Sequence, residues 1–332
     1  MGGYSAGPGA WGGGTLAAGA VLARFDAGGK PVASRSYGAS SDRAVGGGYL
    51  ADGSVVAAFR YTTPIDLGLG ALPASGTSNL ALARLDPAGN ATWNHVLGNG
   101  STSASTVAVD PSTGRIAVGG SFSGTASFGG TTLSGGAGAA FVAMYASDGT
   151  HLLSRAFPSS KTASITGLAF TQSGGLVVTG LYQVDVTLGS SNLTTPSAST
   201  DSFIVGLDAT GANVFVRGGF DVDASSSQAA VGVVVGDDGT ITTSGSLLGF
   251  ASFGGATLTA TAGIDVFHAA FAPDGAHLWS ARSGGDVQGV GAFAAAHHRG
   301  FVRALDFKGA HTFGAEVLTA QGQDVVVVKW AP

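Results

Sequence analysis

Phe128-Gly129-Gly130-Thr131-Thr132-Leu133 and Phe253-Gly254-Gly255-Ala256-Thr257-Leu258 share one pattern: a bulky apolar residue, a glycine directly after it, and a leucine four places beyond that glycine. The pattern occurs six times, at Trp11-Gly12-Leu16, Leu67-Gly68-Leu72, Phe128-Gly129-Leu133, Leu188-Gly189-Leu193, Phe253-Gly254-Leu258 and Phe313-Gly314-Leu318. Successive leucines stand 56, 61, 60, 65 and 60 residues apart. A repeat of about 60 residues therefore fills the chain and leaves no linker, so residues 1–332 read as one array.

Four short apolar stretches alternate with turn chemistry inside each repeat, as at Thr106 to Val109, Arg115 to Gly120, Ala140 to Tyr145 and Leu152 to Phe157. The connections hold Asp110-Pro111-Ser112-Thr113-Gly114, Asp148-Gly149, Asp237-Asp238-Gly239 and Asp274-Gly275, where glycine supplies positive φ and aspartate bonds the backbone after it. Helical periodicity is nearly absent; the Ala292 to Ala296 run aligns with first strands elsewhere and is assigned as strand. Four-stranded antiparallel repeats bury both faces when stacked around an axis, which predicts an all-β chain forming a β-propeller. Six leucine anchors favour six blades. Gly2-Gly3-Tyr4 aligns with the end of a second strand, and Asp324 to Trp330 is a third strand with no fourth after it. If the last repeat takes its fourth strand from Pro31 to Tyr37, the count becomes five. Partial repeats at both termini could close one shared blade, or pair between copies in a head-to-tail assembly.

Composition narrows the function classes. Fifteen basic against twenty acidic side chains give a net charge of −5, the wrong sign for binding a phosphate backbone, so nucleic acid is excluded as a partner. Zero cysteines remove disulfide scaffolds, thiolate nucleophiles and Cys-ligated metals. Apolar runs such as Val325 to Val328 fall far short of the roughly 20 residues of a spanning helix, and Met1 to Leu16 lacks the charge and apolar pattern of a secretory signal.

The segments Phe253-Gly254-Gly255 to Leu258, Asp265-Val266-Phe267, Pro273-Asp274-Gly275 and Leu278-Trp279-Ser280, with Val177-Val178-Thr179-Gly180, resemble the repeats of bacterial proteins grouped as SBBP-type or beta-propeller-repeat proteins. The resemblance runs over essentially the whole chain and is most specific in Phe128 to Phe157 and Phe253 to Ser283. It implies a propeller, often in exported or cell-surface proteins, and carries over no catalytic residues. The expected Trp-Ser pair is replaced by Ala33-Ser34, Leu153-Ser154 and Phe215-Val216.

A basic side chain recurs in the fourth strand, at Arg35, His95, Arg155 and Arg217, with Ala281 beside Arg282 breaking the series. An acid or amide recurs where the third strand opens, at Asn79, Asp201, Asp265 and Asp324, with Ala139 the exception. Such series could form a charged rim for an anionic glycan or a protein partner. A structural pair repeated with the fold is the preferred reading, because what most repeats share is first a property of the repeat. His297 and His298 occupy a tight turn, and adjacent imidazoles on extended backbone point apart, so they are turn decoration and surface interaction candidates before metal ligands. His268 and His277 lie on neighbouring strands without ligand spacing. Asp221, Asp223, Asp237 and Asp238 make the richest oxygen-donor stretch but follow no calcium-loop pattern. Phosphate loops are missing, and so is a Gly-x-Ser-x-Gly nucleophile at a strand-to-helix turn. Trp11, Trp93, Trp279 and Trp330 fall in strand columns and read as packing before sugar platforms. Three sequons, at Asn90, Asn99 and Asn192, fit glycosylation in a secretory host. The expectation is a non-catalytic interaction or structural module, exported or at the cell surface, binding a protein or glycan partner or copies of itself. No catalytic, cofactor or metal residue is assigned and no cofactor is implied. The alternatives are a subunit of a head-to-tail assembly and a propeller hydrolase or lyase with its site at the channel mouth.

Overall fold

Short strands with Asp- and Gly-containing turns fold back on their immediate neighbours, and the computed structural model shows this in every repeat. It describes residues 2–5, 9–10, 15–26, 28–195, 199–261, 263–283, 287–296, 300–313 and 316–330. Among them there is no helix. Four sheets are four-stranded antiparallel meanders in simple chain order. The second sheet runs Arg43–Tyr49, Val55–Tyr61, Asn79–Leu85, Ala91–Leu97, and the third Thr102–Val109, Ile116–Ala126, Leu133–Tyr145, His151–Ser159. The fourth runs Thr162–Phe170, Leu176–Gln183, Thr200–Leu207, Asn213–Gly218, and the fifth Ser227–Val235, Ile241–Leu248, Asp265–Phe271, His277–Ser283. This is the building plan of a β-propeller.

Among the described residues the first and sixth sheets each have three strands. Gly2–Ser5 pairs with Gly19–Phe25, which pairs with Pro31–Tyr37. Tyr4 stands opposite Ala20 as Ser121 stands opposite Ala140, which is the second-strand register expected from the sequence. In the sixth sheet Val287–Ala296, Gly300–Phe313 and Glu316–Trp330 follow one another, so the alanine run is a strand.

Two compact units divide the chain, Met1–Ala156 and Phe157–Pro332. Within each, neighbouring sheets pack face to face. Leu67, Phe59, Tyr61 and Tyr37 fill the core between the first and second sheets, and Phe128, Phe141, Leu80 and Leu82 that between the second and third. Phe253, Phe267, Phe220 and Ile204 do the same between the fourth and fifth. Middle strands are covered on both faces, which explains why Asp265–Phe271 is buried at every position and reads as an unbroken run without alternation.

The motif that sets the repeat builds a small hairpin between the second and third strands. Ile65-Asp66 pairs with Ala71-Leu72, Asp185–Leu188 with Ser191–Thr194, and Phe250-Ala251 with Leu258-Thr259. Its bulky residue turns inward, and Phe128 stacks on Phe141 with centroids 4.2 Å apart. Gly129 has φ +104°, and a Cβ there would stand 3.1 Å from the His151 side chain; Gly254 meets His277 in the same way. Only glycine supplies both the backbone angle and the clearance. Trp11, Gly12 and Gly314 lie outside the described residues.

First strands carry a second shared device. Their ladder to the second strand slips by one residue at Ala44/Gly46, Ala104/Thr106, Ile165/Gly167 and Ala230/Gly232. A bulge at one fixed place in four repeats makes positions directly comparable between sheets.

Candidate functional site

The fourth-strand basic residues reach the turn between the third and fourth strands of the following sheet. Arg35 donates from Nη1 to Asn90 Oδ1 at 2.7 Å, and Tyr37 donates its hydroxyl to the Gly89 carbonyl at 2.7 Å. Burial pushes the Tyr37 hydroxyl up to about 12 against the opposing pull of Arg35, so it remains a donor at neutral pH. His95 Nε2 lies 3.0 Å from the Gly149 carbonyl, and Arg217 donates from Nε to the Gly275 carbonyl at 2.7 Å. Arg155 holds the same strand position in the third sheet, where burial lowers its guanidinium from the ordinary arginine range. His297 and His298 lie outside the described residues.

The acid or amide opening the third strand closes the loop before it, buried at Asn79 and Asp265 and exposed at Asp324. Asn79 accepts from Ser75 N at 2.8 Å and donates to the Tyr61 carbonyl at 3.2 Å. Asp265 accepts from Thr261 N at 3.0 Å and from Arg282 Nη1 at 2.7 Å, and Asp324 accepts from Gln321 N at 3.1 Å. Asp201 differs. It accepts from Tyr182 Oη at 3.1 Å and from Phe220 N at 3.0 Å, yet burial and then the neighbouring Asp221 carboxylate push it up to about 7. Burial also raises Asp221. In the donor-rich stretch, Asp223 binds the Ser225 amide and the Ser225 and Ser226 hydroxyls, and Asp238 accepts from Thr240 N. These are turn aspartates. His268 is buried with Nδ1 2.8 Å from Ser244 Oγ, and His277 packs edge-on against Phe271. Among the described residues no group of three or more His, Asp or Glu side chains could hold a metal ion.

A site that the sequence reading did not single out lies between the first and second sheets. Leu22, Arg24, Ala33, Arg35, Gly47, Tyr49, Val55, Leu85 and Gly89 line a crevice of about 150 Å³ whose walls are mostly apolar. Register explains its origin. Ala33 stands opposite Arg24, as Trp93 stands opposite Arg84 one repeat later, so Ala33 holds the tryptophan position. Phe215 and Trp279 hold it in the fourth and fifth sheets. Counted from the shared bulge, Gly47 matches Val107, Leu168 and Val233. Where the aromatic is present it lies on the next sheet's turn glycine. A Cβ on Gly149 would stand 3.0 Å from the Trp93 ring, and one on Gly275 2.5 Å from Phe215. Trp93 also donates from Nε1 to the Ser147 carbonyl at 3.2 Å.

No protein-family model matches the chain, and no curated protein does. Solved structures that align with it include a protein of unknown function from Dyadobacter fermentans, at 13% identity over 80% of this chain and 75% of that one, TM-score 0.45. Hydrazine synthase of Kuenenia stuttgartiensis aligns at 12% identity over 79% and 75%, TM-score 0.43. A protein of unknown function from Bacteroides caccae aligns at 14% identity over 76% and 69%, TM-score 0.38.

Proposed function

We propose that this protein is a non-catalytic interaction module, a single propeller of SBBP-like repeats that is exported or displayed at the cell surface and binds a protein or glycan partner through its loops. The observation that carries this reading is the use of the recurring charged side chains. Arg35, His95 and Arg217 are committed to turn atoms of the adjoining sheet, so the repeated chemistry supports a scaffold and leaves recognition to residues that do not repeat. At the small-hairpin end of the fourth and fifth sheets Val184, Val222, Leu248, Phe250 and Ile264 are exposed, and several apolar side chains at one end of the sheets suit a protein partner. Val184 also holds a φ of +71°, a strained angle for a β-branched residue.

The test pairs wild type with L248S/F250S. Binding to immobilised glycans and to a second copy of the chain is measured by surface resonance, beside turnover of ester and glycoside substrates. The reading expects saturable binding that the double variant loses at unchanged melting temperature, and no turnover. Turnover by the purified protein, or binding indifferent to the double substitution, overturns it.

A further inference from the structure

We propose that the crevice between the first and second sheets binds a planar aromatic carboxylate, with its ring where the repeat places tryptophan and its carboxylate on Arg24.

Three observations converge on that ligand chemistry. The first is shape. The crevice arises because one repeat has Ala33 and Gly47 where the next has Trp93 and Val107, so what is missing from its walls is a flat aromatic body and an aliphatic side chain. Apolar cavities of about 150 Å³ hold ligands the size of benzene. The second is the floor. Gly89 lines the crevice at the turn position that Gly149 and Gly275 occupy beneath Trp93 and Phe215, and a Cβ there would meet the Tyr37 hydroxyl and the Arg35 stem but no ring.

The third is charge. Arg84, opposite Trp93, is held by Ser54 Oγ at 2.9 Å, the Ser147 carbonyl at 3.2 Å and the Asp52 carboxylate. Arg24 stands at the matching position on the crevice wall, and its guanidinium makes no hydrogen bond or ion pair among the described residues. The other charged groups on the wall are committed: Arg35 to Asn90, and Asp86 to the amides of Ala88 and Asn90 in its own turn. An arginine fork beside an apolar slot selects a carboxylate in two parallel bonds. Tyr49, 52% exposed, stands on the facing second-sheet wall and offers a ring face for stacking.

The probes are indole-3-carboxylate and indole, titrated into the full chain by calorimetry. Indole-3-carboxylate is expected to bind one site saturably and about tenfold more tightly than indole, a ratio set by the arginine bond. Ala33→Trp puts the repeat's own side chain into the slot and should abolish binding of both probes while raising the melting temperature. Ala33→Leu, a smaller filling, should weaken both and serves if the tryptophan variant fails to fold. Arg24→Gln should cost the carboxylate its tenfold advantage and leave indole unchanged. No saturable binding by either probe overturns the proposal. So does binding that survives both Ala33 substitutions, or an Arg24→Gln variant that still prefers the carboxylate.

Discussion

Between the second and third sheets Trp93 lies over Gly149 and Arg84 is fixed by three partners; between the first and second sheets the same register positions hold Ala33 and a free-standing Arg24 beside a crevice. The two interfaces share bulge position, turn glycine and clasp, and they differ in side-chain volume. Repetition fixes the backbone tightly enough that one contact can lose its central aromatic without the neighbouring strands closing in. Clasp bonds explain how. Arg35 to Asn90 and Tyr37 to Gly89 hold the turn at one end of the interface, and Ile65 and Leu67 are fully buried at the other.

The largest effect expected from this comparison comes from exchanging the two fillings. Trp93→Ala removes an indole with a hydrogen bond to Ser147, and should cost about 3–5 kcal/mol in urea unfolding, the range for large aromatic truncations. Ala33→Trp should move stability the other way by about 1 kcal/mol, the usual gain from filling a cavity. If Trp93→Ala costs under about 1 kcal/mol, the indole is not what holds the second and third sheets together. The comparison then loses its basis.

Much of this was legible in the chain before any coordinates. The six-fold motif, the four strands per repeat, the strand over Ala292 to Ala296 and the out-of-phase start at Gly2 follow from apolar runs and turn residues, which are local signals. The small hairpin around Leu67, Phe128, Leu188 and Phe253 was visible as a motif without its shape, because two-residue ladders such as Ile65-Asp66 with Ala71-Leu72 have no periodicity of their own. The clasp was half visible. Arg35, His95 and Arg217 stood out as a series, whereas their acceptors lie 55, 54 and 58 residues further along. A contact offset by almost one repeat is invisible until sheets are stacked. The departure at Ala33-Ser34 was likewise on the page, but its meaning depends on knowing that this position faces the next sheet. Nothing local marked Asp201 as different from Asp265. The distinction comes from Asp221, twenty residues later, and from the arginine, Arg282, that Asp265 has in its place.

A change of pH supplies a perturbation that leaves the crevice between the first and second sheets alone, since no histidine lines it. Asp201 lies in the second compact unit, and burial with Asp221 raises its carboxyl to about 7. In the unfolded chain an aspartate titrates near pH 4. Between roughly pH 4 and 7 the folded protein therefore holds a proton that the unfolded chain has released. That contribution to stability is complete below about pH 4 and is lost as pH rises through about 7, with a slope of up to ~1.4 kcal/mol per pH unit. Asp201→Asn should flatten the slope and leave a remainder from Asp221, which burial raises in the same direction. Urea midpoints at pH 5 and pH 8 measure it. The stability difference between Ala33→Trp and wild type should be the same at both pH values, and a difference that changes with pH would tie the crevice to the acids.

The smallest effects expected concern the two arginines, and they sharpen the comparison most finely. Arg84→Gln loses charge-assisted bonds to Ser54 and to the Ser147 carbonyl, and should destabilise by about 1–2 kcal/mol, since hydrogen bonds to a charged group are worth more than neutral ones. Arg24→Gln removes a guanidinium without partners among the described residues, and should shift unfolding by under about 0.5 kcal/mol, the usual scale for a surface substitution away from any special contact. Equal costs at the two positions would show that Arg24 contributes to the fold as Arg84 does, and its charge would then not be free for a ligand. Unequal costs leave an arginine at one register position with a structural duty in one interface and none in the other. A side chain so placed, on the wall of an apolar slot, keeps its full hydrogen-bonding capacity for whatever enters.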